Sequence, residues 1–208
     1  RGEHPAGGGA SSAAPSHTPP DFTTMTFDPE RIEALVPFRT MLQPADLPPE
    51  YGMRYEQVGG YPLPQHPWPV EIMCPPGAAD RYPARAAEIA RRTIGYTTSD
   101  TERVRHVVQT VIRYRPGDAA AAVAGLDAAL AACDEQVRAT RYPLLARDFA
   151  GDESRMIAIG PIMGGGEMES YLVVVRVGDA VPAVLVVASL GKAVARALAA
   201  KAADRLHT

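Results

Sequence analysis

Four arginines fall on one face of a predicted long strand and could bind an anion. The segment 101–115 alternates apolar and polar residues with a period of two, which is typical of a strand with one face on a core. A guanidinium group forms paired hydrogen bonds with carboxylates and phosphates. Val107 and Val111 lie among the arginines, so part of this face should be covered by a helix or a ligand. The alternative is a solvated sheet face whose arginines pair with glutamates. The four residues are Arg103, Arg105, Arg113 and Arg115.

A second group of candidate ligand-binding side chains lies in the proline-rich segment 51–76. Tyr61, His66 and the single tryptophan, Trp68, could rim an aromatic pocket for an apolar or sugar ligand. The alternative is a proline-rich loop that its aromatic side chains pin to the domain. His106 alternates onto the apolar face of the predicted strand, so we expect a partly buried histidine rather than a catalytic base.

The chain carries no strong catalytic or cofactor-binding motif. No GxSxG occurs, and Ser154 has Asp152 and Glu153 beside it but no histidine nearby. The three glycines at 164–166 lack the Gly-Lys-Ser/Thr ending of a phosphate-binding loop, so we expect a mobile hairpin loop at the edge of a cleft. No His/Cys cluster has the spacing of a zinc site. These patterns predict a protein that is not an enzyme and uses no metal and no cofactor.

The composition limits the class of protein. The chain of 208 residues has a net charge of −3, which excludes a generally basic nucleic-acid binder. It contains no apolar run of ~18 residues, so we expect no transmembrane helix. Residues 1–26 are mostly small, proline or hydroxylated, and such a segment cannot bury enough surface to fold. We expect a flexible linker over 1–26, either a membrane tether or an ordinary disordered terminus, followed by one domain over 27–208.

The remaining elements predict an α+β domain. Asp28, Pro29 and Glu30 mark a helix start, with a capping side chain, a proline at the first position and an acid in the first turn. The residues 178–180 mark a hairpin between two apolar strands. Because successive strands are joined by hairpins or helices, we expect a single domain with an antiparallel β-sheet and helices packed on one face. The other predicted helices cover 81–93, 118–133 and 190–206, and the predicted strands cover 70–74, 101–115, 154–162, 169–177 and 181–188.

The two cysteines, Cys74 and Cys133, allow two interpretations. Neither belongs to a CxxC pair; Cys74 ends a predicted strand and Cys133 ends a predicted helix. They could form one disulfide in an oxidising compartment. They could equally be two buried thiols in a cytosolic protein.

Several segments together carry a resemblance to a known family. On them, over about residues 38–206, the chain resembles the actinobacterial sensor-domain lipoprotein family, which is similar to the extracellular sensor domain of the mycobacterial kinase PknH. The kinase relatives can carry two disulfides, whereas this chain has cysteines for one. The segments are MLQPADLPPEYG (41–52), the strand end at Cys74, GLDAALAACDE (125–135), AGDESR (150–155), YLVVVRVGDAV (171–181) and ARALAAKAADRL (195–206).

The resemblance implies a fold, a location and a disulfide. Family members have an antiparallel sheet with helices against it and a cleft thought to take an unidentified ligand. They are exported after removal of a signal peptide, and many are lipid-anchored through an N-terminal cysteine that would lie upstream of Arg1. The resemblance also implies a Cys74–Cys133 disulfide, and it supplies no catalytic residue.

These observations predict a non-enzymatic extracellular domain, lipid-anchored at the cell surface, that senses a signal by binding a small ligand or an envelope protein. We expect no nucleic-acid partner, and contact with the membrane only through the lost N-terminal anchor. Two alternatives stay open. One is a lipid or glycolipid carrier or accessory lipoprotein of the cell envelope, which needs a large apolar cavity. The other is an unrecognised hydrolase.

Overall fold

The computed structural model describes residues 28–58, 88–98, 105–133, 135, 142–160, 170–187 and 190–207. Within them the chain forms one antiparallel sheet of seven strands with α-helices packed against it, which confirms the predicted α+β single domain. The predicted linker 1–26 and strand 70–74 lie outside the described residues. The strands are β1 (Tyr51–Val58), β2 (Glu88–Thr98), β3 (His106–Tyr114), β4 (Leu144–Arg147), β5 (Glu153–Ile159), β6 (Ser170–Arg176) and β7 (Ala180–Val187), and the helices are α1 (Pro29–Leu35), α2 (Asp118–Ala132) and α3 (Gly191–Asp204).

The sheet joins two meanders along one pair of strands. β1, β2 and β3 are neighbours both in the chain and in the sheet, and so are β4, β5, β6 and β7. The two groups meet where β3 pairs with β7, with Arg113 opposite Ala180. The predicted hairpin at 178–180 connects β6 to β7, and Gly178 there has a φ of 56°. This left-handed conformation favours glycine at the turn.

Helices cover both faces of the sheet, whereas the sequence predicted helices on one face. α1, the segment 36–47 and α3 enclose a first core, and α2 encloses a second core on the opposite face. Val173 belongs to the first core and its neighbour Leu172 to the second. The reason lies in β6, because residues 170–175 of that strand are all buried. A strand that is apolar on both sides needs a covering layer on each face.

The start of α1 is as the local sequence predicts, whereas α2 begins at Asp118 after Gly117 with no capping side chain. Oδ1 of Asp28 accepts hydrogen bonds from the backbone N–H groups of Glu30 at 3.0 Å and Arg31 at 3.2 Å, which confirms the predicted cap of α1. α2 is fixed to the second core by one helical face. The buried residues of that face include Val123, Leu126 and Leu130, and Cys133 is buried directly after the helix.

The segment predicted as the second helix is a strand where the structure describes it. The sequence favoured a helix over 81–93, but Glu88–Thr98 forms β2 between β1 and β3. Ile94 and Tyr96 are fully buried on one face of β2. On the other face, the hydroxyls of Thr93 and Thr110 share a hydrogen bond of 3.0 Å. Pairing with two neighbouring strands outweighs the helix propensity of the alanines and arginines in this segment.

Within the described residues, three short turns of 3-10 helix lie near the two ends of that part of the chain. The first two, Phe38–Thr40 and Pro44–Asp46, follow α1 and lead into β1. The last one, Arg205–His207, continues α3. The turn at Phe38–Thr40 contacts the one at Arg205–His207, so the two ends of the described chain lie together. This contact brings the segment 44–48 alongside α3, where the candidate site lies.

Candidate functional site

The predicted arginine face of β3 is part of the first core. Val107, Gln109 and Val111 are fully buried, and the two valines pack in the core that α1 and the segment 36–47 enclose. Oε1 of Gln109 accepts a hydrogen bond from the backbone N–H of Leu42 at 2.6 Å. The layer that covers this face is therefore the protein's own chain.

The arginines of this group that the structure describes do not converge on one site. Arg105 and Arg113 lie at opposite ends of β3, roughly 27 Å apart at the rise of an antiparallel strand. Nε of Arg113 donates to the backbone carbonyl of Leu35 at 3.3 Å. Arg115 is exposed in the turn after β3, and Arg103 lies outside the described residues. We base no ligand site on this group.

Several other predicted residues lie outside the described part of the chain. These are Tyr61, His66, Trp68, Cys74 and the glycines 164–166. His106 is half-buried at the start of β3, as predicted. Cys133 is buried at the end of α2, and the described residues contain no free cysteine. Its pairing with Cys74 stays a prediction.

Ser154 shapes a turn and is closed off from solvent. Its side chain is fully buried in β5. Its Oγ accepts hydrogen bonds from the backbone N–H groups of Phe149 at 2.9 Å and Ala150 at 3.2 Å. A buried hydroxyl held in this way offers no accessible nucleophile, which speaks against a hydrolase built on Ser154.

One cluster of charged side chains ties α2 to the ends of β4, β5 and β6. Arg155 is nearly buried and lies 2.7 Å from the Asp127 carboxylate, which also pairs with Arg147 at 3.0 Å. Burial raises the pKa of Asp127, but the hydrogen bonds from Arg155 and Arg147 outweigh it and hold that pKa below its usual value. The other members of the cluster are Asp148, Asp152, Glu153 and Arg176.

A second internal cation, Arg92, joins α1 to the first two strands. Its side chain is 5% exposed and lies 2.6 Å from Glu33 and 3.3 Å from Glu56. Its guanidinium carbon lies 5.8 Å from the centre of the Phe38 ring. The hydrogen bond from Arg92 lowers the pKa of Glu33. Arg92 on β2 therefore links that strand to α1 and β1, and its charge is paired with the carboxylates of Glu33 and Glu56.

Asp46 anchors the C-terminal helix to the segment before β1. Its side chain is 3% exposed, although it carries a charge. Oδ2 accepts hydrogen bonds from the backbone N–H of Gln43 at 2.7 Å and from Nε of Arg205 at 2.8 Å. Oδ1 lies 3.1 Å from Nζ of Lys201. Burial raises the pKa of Asp46, but the hydrogen bonds from Arg205, Gln43 and Lys201 outweigh it, so the pKa is lowered.

Tyr96 on β2 fixes the segment 41–48 to the sheet. Its hydroxyl donates to the backbone carbonyl of Leu42 at 2.5 Å. Burial, followed by the nearby Asp46 carboxylate, raises the pKa of Tyr96 to about 12. The Tyr96 hydroxyl therefore stays protonated at neutral pH and remains the hydrogen-bond donor to Leu42. The segment 41–48 is held by Tyr96 on one side and by α3 on the other.

An open groove of about 520 Å³ runs between this segment and α3. Its walls are apolar apart from the ion pair of Asp46 and Lys201 at one end. Leu47 and Leu198 are buried at its base, Val194 is half-buried, and Ala197 is exposed on the wall. The lining residues are Asp46, Leu47, Pro48, Ala193, Val194, Ala197, Leu198 and Lys201.

Comparisons with known protein families, with curated proteins and with solved structures give no match for this chain. Among the described residues, no group of three or more His, Cys, Asp or Glu side chains is placed to hold a metal ion. None of the helices in the described part of the chain is long and apolar enough to cross a bilayer.

Sequence reasoning missed the groove because its two walls come from opposite ends of the chain. The helix predicted over 190–206 is present as α3, which buries Leu198 and Ala202 on one face. No local pattern indicated that Asp46 would be the partner of that helix. An acid after a proline in a short turn is also common on solvated surfaces. The contact exists only once the sheet has brought both ends together.

Proposed function

We propose that this chain is a non-enzymatic, exported binding domain that takes a ligand or partner in the groove beside α3. The groove carries the proposal. Its volume of about 520 Å³ falls in the range of small-molecule sites, roughly 300–1,000 Å³. Its walls are a helix and a segment tied to the sheet, so the site is preformed and binding requires little ordering.

The chemistry of the groove supports binding rather than catalysis. The ionisable groups of its lining are Asp46 and Lys201, which pair with each other. The remaining lining residues are aliphatic or proline and offer neither a nucleophile nor a general base. The groove is also open along its length, which favours reversible recognition over the enclosed cavity that a lipid carrier needs.

Location at the cell surface rests on sequence features. The composition of residues 1–26 is typical of a tether, and the resemblance to sensor-domain lipoproteins implies export, a lipid anchor and one disulfide. A domain on such a tether would report an extracellular ligand or an envelope protein through occupancy of its groove.

An uncharged dye tests the site directly. Nile red fluoresces in an apolar environment, so titration into the protein should give a saturable signal. Ala197→Trp fills the groove and should weaken dye binding about tenfold or more. Ala128→Trp is the matched control, because Ala128 is also an exposed alanine within a helix but lies on α2.

Circular dichroism of each variant establishes that it is folded. Saturable binding that Ala197→Trp removes and Ala128→Trp retains supports the proposal. No saturable binding, or equal binding by folded Ala197→Trp and wild type, overturns it.

A further inference from the structure

We propose that the groove prefers a single-tailed amphiphile with one anionic head group, whose tail lies on the apolar walls and whose head meets Lys201. This inference rests on the proposed function, because it assumes that the groove is the binding site. It adds the class of ligand and the residue that selects it.

The charges at the end of the groove are unequal. One buried carboxylate, Asp46, faces two cations, Lys201 and Arg205. Within this group of three side chains the two cations outnumber the single carboxylate. The Asp127 cluster differs, since its four carboxylates face the three guanidinium groups of Arg147, Arg155 and Arg176.

Arg205 is the cation that neutralises Asp46. Its Nε and Nη2 lie 2.8 Å and 2.7 Å from the same oxygen, Oδ2, and its side chain is 27% exposed. Its Nη1 also donates to the backbone carbonyl of Arg39 at 3.4 Å. These contacts fix the guanidinium between the two segments that it joins.

Lys201 is the cation that can face a ligand. Its Nζ contacts Asp46 at the longer distance of 3.1 Å, and its side chain is 54% exposed. An ammonium group has further N–H donors beyond the one directed at this carboxylate. Lys201 also lines the groove, so its aliphatic stem extends the apolar wall while its head stays at the mouth.

The arrangement fits a ligand with two chemically different ends. Leu47, Pro48, Val194 and Leu198 offer contact to a hydrocarbon tail, and burying that tail supplies the general affinity. An anionic head near Lys201 adds attraction and hydrogen bonds. A cationic head would meet the like charge of the Lys201 ammonium and be disfavoured. Affinity and selectivity therefore come from different residues, which allows separate tests.

The experiment compares three amphiphiles with the same tail. Decanoate, decanol and decyltrimethylammonium, each below the concentration at which it aggregates, compete with Nile red for the protein. The measured quantity is a ratio of two concentrations. These are the concentrations of decanoate and of decanol that each displace half of the bound Nile red. An exposed ion pair beside an apolar wall should change this ratio by about fivefold. Lys201→Met should shift the ratio against decanoate by that factor. Decyltrimethylammonium should compete poorly with Nile red for the wild-type protein.

Lys192→Met is the matched control. Lys192 is the other lysine of the chain, lies exposed in the first turn of α3 and does not line the groove. The variant should keep the wild-type ratio. The proposal is overturned if Lys201→Met leaves the ratio unchanged or if Lys192→Met shifts it equally. Failure of Ala197→Trp to reduce Nile red binding would instead overturn the proposed function, so the two failures are distinguishable.

Discussion

Arg205 and Asp46 lie 159 residues apart in the chain, and Nε of Arg205 donates to Oδ2 of Asp46 at 2.8 Å. The bond joins the end of the last helix to the turn that precedes the first strand. Because Asp46 also accepts from the backbone N–H of Gln43, the turn keeps its shape at the point of contact. Both walls of the groove are thereby held at a fixed separation.

Removing the Asp46 carboxylate should destabilise the domain. Asp46→Ala deletes hydrogen bonds from Gln43, Lys201 and Arg205, and we expect a loss of about 2 kcal/mol in the free energy of unfolding. Urea unfolding followed by circular dichroism measures it. Asp204→Ala is the control, because Asp204 is an exposed acid at the end of α3 and its loss should cost under about 0.5 kcal/mol. Equal effects of the two substitutions would contradict the role given to Asp46.

The free energy of unfolding should fall at acid pH. Asp46 and Asp127 have pKa values lowered in the folded state, so each contributes stability that is present above the ordinary carboxyl pKa of about 4. That contribution is lost as the pH falls through the lowered values. Urea midpoints measured between neutral and acid pH should therefore decline below about pH 4. Asp46→Asn and Asp127→Asn together should flatten this decline, and an unchanged slope in the double variant would refute the assignment.

Tyr55 and Gly95 are cross-strand partners on β1 and β2, and the Tyr55 ring lies directly over Gly95. A methyl group at Gly95 would occupy the space of the ring, so Gly95→Ala should cost about 1 kcal/mol of stability. In the Tyr55→Ala background the same substitution should cost much less, because the ring is gone. A double-mutant cycle by urea unfolding measures the difference. Gly52→Ala is the control, since a Cβ there meets nothing within 4 Å.

The predicted Cys74–Cys133 disulfide can be tested without a structure. Thiol titration of unreduced, denatured protein should find no free thiol. Closing a loop of roughly 60 residues contributes ~4 kcal/mol in the chain-entropy model, so reduction should lower the free energy of unfolding by a similar amount. Cys133→Ser measured with and without reductant is the control, because reduction should then have no further effect. Two thiols in the unreduced protein would refute the disulfide and weaken the argument for export.

Local signals in the sequence predicted several elements correctly. The cap at Asp28, the buried face of α2 and the hairpin after β6 each depend on residues close together in the chain. β2 was predicted wrongly because alanine and arginine favour a helix in isolation. Ile94 and Tyr96, which are buried on one side of the strand, lie just beyond the end of the predicted helix. Pairing with β1 and β3 decided the outcome, and such pairing is not encoded locally.

The candidate site was less accessible to sequence reasoning than the fold. The arginines of the predicted strand 101–115 are regularly spaced, yet Val107, Gln109 and Val111 between them are buried under the segment 36–47. Lys201 and Asp46 have no motif, and their contact depends on the docking of α3. A site made of side chains from both ends of a chain becomes visible only in three dimensions.

The most direct test of the account is to map where an apolar ligand binds. Amide chemical shifts of isotope-labelled protein, recorded while Nile red is added, report the contacted residues without any substitution. The account predicts that the largest changes cluster at Leu47, Ala193, Val194, Ala197 and Leu198. Changes that cluster instead on α2 or on the exposed side chains of β1, with the groove residues unaffected, would contradict it.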